Sequence, residues 1–114
     1  MSHQTSYGDK KALALGFSKS GSTNELRLLL QEFPNCVNET DWSGDSLLAI
    51  ACWHGQFEVV KMLVDEFDLN VNKANSQGCT ALHRACIQNN VDLALWLCQK
   101  GADVLLKDKV CTFF

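Results

Sequence analysis

An all-α solenoid of about three stacked helix-turn-helix repeats is the fold class expected from this chain, on three grounds. The first is a period. Sliding the sequence against itself by 34 residues places Gly44 on Gly78, Ser46 on Thr80, Leu48 on Leu82, Ala51 on Ala85, Cys52 on Cys86 and Leu63 on Leu97. A fixed period of that length is the mark of stacked units. The same shift backwards takes Gly55 to Gly21, Val60 to Leu26, Leu63 to Leu29, Val71 to Val37 and Asn72 to Asn38, which adds a weaker, divergent first copy. The second ground is that apolar residues within each copy fall into two short stripes at helical spacing, separated by Gly or Asn. The third is composition: 114 residues, 46% apolar and 20% charged, are those of an ordinary globular chain with enough surface to bury one core.

Taken in chain order, residues 1–10 form a polar segment expected to be flexible, and residues 11–40 the divergent first repeat. Ser22 stands three residues before Glu25, the spacing at which hydroxyl and carboxylate each satisfy a free backbone donor, and this predicts the second helix of that repeat over 23–32. The second repeat spans 41–74. Its first helix carries Leu47, Leu48 and Ala51 inward, and after a break at Gly55 its second carries Phe57, Val60, Met62, Leu63 and Val64. The third repeat, 75–107, repeats this with Leu82, Ala85 and Cys86, a break at Asn89, then Val91, Leu93, Leu95, Trp96 and Leu97. Asn is the non-glycine residue that best tolerates the left-handed backbone a helix break requires. The first two copies hold one extra residue, within Phe33-Pro34-Asn35-Cys36 and Phe67-Asp68-Leu69-Asn70, ahead of Val37 and Val71. Residues 108–114 read either as the start of a fourth repeat or as a tail whose Val110, Phe113 and Phe114 cover the open face of the third.

The second and third copies resemble ankyrin repeats, whose signature is a turn followed by TPLHxA and a helix pair. The signature reads Ser46-Leu47-Leu48-Ala49-Ile50-Ala51 in one copy and Thr80-Ala81-Leu82-His83-Arg84-Ala85 in the next, and Gly101-Ala102-Asp103-Val104 matches the closing GADV. The resemblance covers about Lys11 to Asp108. Both copies lack the signature proline, and Ala49 stands where the family has histidine, which predicts lower local stability there. The resemblance implies that His83 braces its turn by hydrogen bonding and that Asn38 and Asn72 tie neighbouring turns together. It also implies a non-catalytic module that binds a protein, because stacked repeats offer a shallow, rigid, concave surface rather than a deep pocket.

Other classes of function are disfavoured by the residues. Ten basic against thirteen acidic side chains give a net charge of −3, so the basic footprint of a nucleic-acid or anionic-membrane binder is missing. The longest stretch free of Asp, Glu, Lys and Arg runs from Ser46 to Phe57, well short of the roughly 20 residues that span a bilayer. Met1 to Lys11 is polar and leads into no signal-peptide pattern, so a cytoplasmic or nuclear location is expected, with Cys36, Cys52, Cys79, Cys86, Cys98 and Cys111 as thiols. Cys79, His83 and Cys86 are spaced like metal ligands, but Cys79 belongs to the turn and no fourth ligand follows, so no zinc is expected. Gly16 and Gly21 fit no phosphate-binding motif, and no nucleophile, base and orienting group converge. Neither a cofactor nor catalysis is expected.

Carrying over the contact positions of the resembled family selects the turn residues Trp42, Ser43 and Asp45, then Ser76, Gln77 and Cys79. At the ends of the inner helices it selects Lys19, Ser20, Trp53, His54, Ile87 and Gln88. Trp53 and Trp42 lead this set, since a large amphipathic ring outside the core suits an interface hot spot. Glu39, Asp41, Asp45, Asp65, Glu66 and Asp68 form an acidic edge that would complement a basic segment of a partner. The molecule is expected to be a monomer or to associate weakly through its C-terminal face. The alternative is an N-terminal fragment or capping region of a larger repeat protein, whose open C-terminal face docks onto further repeats.

Overall fold

A computed structural model describes residues 7–103, and three helix pairs account for most of them. The elements are α1 (Tyr7–Ser20), α2 (Thr23–Glu32), a 3-10 helix (Pro34–Asn38), α3 (Leu47–Trp53), α4 (Phe57–Asp65), α5 (Ala81–Ile87) and α6 (Val91–Gln99). α1 begins at Tyr7, so the helix reaches into the segment 1–10 expected to be flexible. The closing residues 104–114, including Val110, Phe113, Phe114 and Cys111, lie outside the described residues, and with them the expected fourth unit or tail.

The 34-residue period is written in backbone hydrogen bonds. At each break a peptide N–H reaches back five residues: Ser22 to Phe17 at 3.1 Å, Gln56 to Ala51 at 2.9 Å and Asn90 to Ala85 at 2.9 Å. This is the longer bond of a Schellman closure, which needs a left-handed residue just before it. Gly21, Gly55 and Asn89 supply that residue with φ of 82°, 70° and 58°. The turns repeat as well. Oδ1 of Asp41 accepts from the N–H of Ser43 and Asp45 at 2.9 and 3.0 Å, and Oδ1 of Asn75 accepts from Gln77 and Cys79 at 2.8 and 3.0 Å. Short polar side chains that bond the backbone two and four residues on hold such turns rigid.

Helix starts follow the signature at two of the three places. The Ser46 hydroxyl accepts from Ala49 N–H at 3.3 Å. Thr80 forms a reciprocal cap, in which its N–H donates to His83 Nδ1 at 3.0 Å and His83 N–H donates to its hydroxyl at 3.4 Å, so His83 braces the turn as expected. The capping box expected of Ser22 and Glu25 does not form. The Ser22 hydroxyl instead shares a 2.8 Å hydrogen bond with Ser20, whereas Asn90, on a similar backbone (φ −91°, ψ 84°), does cap α6 by accepting from Leu93 N–H at 3.2 Å. The helix bounds, Thr23–Glu32, are nevertheless those expected. The two extra residues resolve differently: the first becomes the 3-10 helix, the second is absorbed by Asp68 at φ 55°.

Inner helices α1, α3 and α5 pack side by side, with α2 against α4 behind them. One continuous core results, running from Leu26 and Leu30 through Leu47, Leu48, Cys52, Val60 and Leu63 to Leu82, Leu93 and Leu97. Burial pushes the Cys52 thiol far above its ordinary range, so it is an inert core residue. Val91 and Leu95, expected in the core, are instead 59% and 58% exposed, because no described element packs against that side of α6.

Two glycines in the first repeat differ in what they require. Gly21 needs its left-handed φ, and a Cβ there would collide with the side-chain amide of Gln56, which itself donates to Lys19 O at 3.0 Å. Gly16 lies within helix α1, and a Cβ there would meet nothing within 4 Å. Gly16→Ala is therefore expected to stabilise by about 0.5–1 kcal/mol, the cost of glycine in a helix. Gly21→Ala should destabilise by about 1–2 kcal/mol, the scale of a forced left-handed residue. Thermal melts of the two variants check the pair, and equal shifts would contradict this account.

Candidate partner-binding surface

The first turn of the second repeat presents its tip to solvent. Asp41 Oδ1 gathers the Ser43 hydroxyl at 2.7 Å besides the two backbone bonds, and Gly44 turns the chain at φ 87°. Trp42 therefore stands on a rigid turn with 97% of its surface exposed. At the equivalent place in the third repeat, Ser76 and Gln77 are exposed. The ends of the inner helices add Trp53 at 38% and Ile87 at 41% exposure, with His54 and Gln88 exposed beside them and Lys19 and Ser20 closing α1.

Two of the expected contact residues are taken out of the exposed set. Asp45 is buried because its carboxylate is consumed between repeats: Arg84 donates to it at 2.9 and 3.0 Å and Asn75 Nδ2 at 2.7 Å. Cys79 is buried because its turn folds back on Asn75, which binds its N–H and donates to its carbonyl at 3.0 Å. Ser43 is half-buried, its hydroxyl engaged by Asp41.

Part of the acidic edge is drawn into ties within the chain, while Asp68 stays exposed. Arg27 of α2 grips Glu66 through two hydrogen bonds of 2.8 and 2.9 Å, Lys100 meets Asp65 at 3.0 Å, and Glu39 is buried with Lys11 at 4.0 Å. The hydrogen bond from Arg27 holds the Glu66 carboxyl below its ordinary range. Each of these pairs joins a different pair of elements, a use of charge that the one-dimensional clustering of acids does not reveal. Asn72 performs the expected tie, donating to Gly101 O at 3.1 Å and accepting from Asp103 N–H at 2.7 Å, whereas Asn38 ends the 3-10 helix with its side chain exposed.

Arg84 was not singled out by the sequence, yet it organises the surface. Its guanidinium lies 5.4 Å from the ring centroid of Trp53 while it pairs with Asp45, so one side chain links the turn, α5 and the leading aromatic. Burial works against its charge, but the hydrogen bond and charge of Asp45 outweigh that and leave its pKa raised. A signal existed in the repeat register: Gly16, Ile50 and Arg84 occupy one position of the 34-residue unit, as do Lys19, Trp53 and Ile87. Gly16, Lys19, Ile50 and Trp53 of these columns line one groove.

Between the first two repeats lies a groove of about 270 Å³ lined by Leu15, Gly16, Lys19, Asp41, Trp42, Asp45, Ile50, Trp53 and His54. That is below the roughly 300 Å³ at which small-molecule pockets begin, and suits a protruding side chain. A wider, open hollow follows between Trp53, His54, Gln88, Asn89 and Val91. Among the described residues no three His, Cys, Asp or Glu side chains are grouped as metal ligands, and no helix is long and apolar enough to cross a membrane.

The family profile for ankyrin repeats, three copies, matches residues 13–108. The chain belongs to the ankyrin repeat family. Members of this family generally mediate protein–protein interaction through repeats of this kind. Among similar ankyrin repeat proteins, Notch-regulated ankyrin repeat-containing protein A of Danio rerio is 38% identical over 86 residues, 73% of this chain and 76% of that protein. The Notch-regulated ankyrin repeat-containing protein of Homo sapiens is 36% identical over 86 residues, covering 73% and 75%. Alpha-latrocrustotoxin-Lt1a of Latrodectus tredecimguttatus is 42% identical over 64 residues, 56% of this chain but only 4% of the toxin's length.

Proposed function

We propose that this ankyrin repeat protein is a non-catalytic adaptor, scaffold or occluding inhibitor that binds a partner protein through its concave turn and inner-helix surface. The observation that carries the reading is Trp42, 97% exposed on a turn that three hydrogen bonds to Asp41 hold rigid, beside Trp53 and the groove they share. A rigid exposed tryptophan provides large contact area at low entropic cost. The contact set is Trp42, Trp53, His54, Ser76, Gln77, Ile87 and Gln88, with Ser43, Asp45 and Cys79 supporting it from behind. A cytoplasmic or nuclear setting fits these thiols.

Affinity capture from cell lysate, with a Trp42→Ala/Trp53→Ala double variant as control, tests the proposal. Proteins retained by the natural chain and lost by the variant support it, and an unchanged set of captured proteins refutes it. Once a partner is in hand, Trp53→Ala should weaken binding by about 2 kcal/mol or more, the hot-spot scale, with little change in the melting temperature. Calorimetric titration checks this, and equal affinity would remove Trp53 from the site.

A second reading draws on Val91 and Leu95, which are more than half exposed beside a shallow apolar hollow with Cys86 and Ala94. On that reading the face of the third repeat docks onto further repeats or onto a second copy. Sedimentation at rising concentration decides between copies and monomer, and a monomer throughout counts against self-association.

A further inference from the structure

We infer that copies of this chain stack head to tail: the open face of the third repeat on one copy is covered by the α1–α2 face of the next, with Val91 set against Leu28. The inference rests on the reading of the third repeat as a docking face and commits that face to one occupant. Three observations carry it.

The first concerns the face that each repeat turns toward the one after it. Ser18, Cys52 and Cys86 share one position of the 34-residue unit, as do Leu26, Val60 and Ala94. In the first two repeats these residues are fully buried, because the next repeat lies over them. In the third, Cys86 and Ala94 are only half-buried, and Val91 and Leu95 beside them are more than half exposed. The hollow they leave is lined by Cys86, Asn89, Asn90, Val91, Ala94 and Leu95, without a charged side chain. A solenoid end that faces water is capped by polar residues, and this one has the surface of an internal repeat interface instead.

The second concerns the opposite face. Leu13, Leu47 and Ala81 share a position, and so do Leu28, Met62 and Trp96. In the second and third repeats Leu47, Met62 and Ala81 are buried, and Trp96 meets Phe57 of the preceding repeat edge-on with 5.8 Å between ring centroids. In the first repeat Leu13 and Leu28 are 43% and 66% exposed. The described residues thus carry one bare face of each kind.

The third is the match between the two. Phe57 stands at the position of Val91 and Trp96 at that of Leu28, so the aromatic contact between the second and third repeats recurs between copies as Val91 on Leu28. Covering the two faces with each other removes from water the kind of apolar surface that the internal interfaces remove. A contact between unlike faces leaves a free face at each end, so association continues copy by copy. Exposed Glu25 and Glu32 flank Leu28 at helical spacing and exposed Asp92 follows Val91, and these like charges keep the contact weak and make it strengthen with salt.

Sedimentation from micromolar to millimolar concentration tests this with the natural chain, Val91→Asp and Leu28→Glu. Both positions are exposed, and helical circular dichroism checks that the variants fold. The natural chain is expected to rise in mass past two copies, more strongly at higher salt. Each variant alone should associate at least about tenfold more weakly, because a carboxylate without a partner is placed in an apolar contact. An equimolar mixture of the two variants should form one-to-one pairs and stop there, since it holds one intact face of each kind. Leu95→Asp and Leu13→Glu, on the same two faces, repeat the comparison. The inference is overturned if the natural chain is a monomer throughout, if it stops at two copies, or if the mixture behaves as its separate parts. Pairing by Leu28→Glu alone, with Val91→Asp monomeric, would overturn the head-to-tail arrangement while leaving the third repeat's face as a docking surface. Association untouched by Val91→Asp would overturn both.

Discussion

Leu63→Ala is expected to lower the stability of the chain by about 2–5 kcal/mol, the range for large-to-small changes in a close-packed core. Leu63 lies on α4, is fully buried, and belongs to the one core cluster that runs through all three repeats. A repeat protein gains its stability from interfaces between neighbours, so a cavity in the middle unit weakens the coupling on both sides. Natural domains are stable by only about 5–15 kcal/mol, so a loss of this size is a large fraction of the whole. Urea denaturation followed by circular dichroism measures the effect. Leu28→Ala is the control, because Leu28 is 66% exposed and surface changes stay within about 0.5 kcal/mol. A loss at Leu63 no larger than at Leu28 would mean that the repeats do not share a core there.

Asp45→Ala should be the next most damaging change, at about 2–3 kcal/mol. The figure is set below the about 3–5 kcal/mol typical of a broken buried pair because the Arg84 side chain retains 18% exposure. Removing Asp45 leaves a guanidinium whose surroundings, through burial, already oppose its charge, and leaves Asn75 without its 2.7 Å acceptor. The cost is therefore mainly that of the stranded partner, which makes a sharp prediction: Arg84→Met in the Asp45→Ala background should restore most of the loss. A double-mutant cycle in urea measures it, and strictly additive losses would mean that the two residues do not depend on each other. The double variant should still bind its partner more weakly, since Trp53 loses the cation that braces its ring.

Much of the fold was legible because the bonds that define it are local. The Schellman bonds, the Asp41 and Asn75 turns and the Thr80–His83 cap each close within five residues, so Gly21, Gly55, Asn89 and the signature positions mark them directly. The exception instructs: Ser22 and Glu25 have the right spacing for a capping box, but the Ser22 hydroxyl is taken by Ser20. The candidate site was legible only in outline. Trp42 and Trp53 were expected as large rings outside the core and are exposed, whereas Arg84 was hidden inside the signature.

What this sequence determined by itself is the unit: its length, its breaks, its caps and the family they belong to, since each depends on residues within a turn or two of one another. What only the tertiary structure decided is which charged and apolar groups are spent inside. Arg84 and Asp45, like Arg27 and Glu66, meet across 39 residues, and no local pattern specifies that meeting. Stacking one unit on the next brings such side chains within hydrogen-bond reach, and the same stacking leaves Val91 and Leu95 uncovered among the described residues. Whether a carboxylate faces a partner or its own chain is settled by that geometry, because burial makes an unpaired charge costly and pairing it removes the cost.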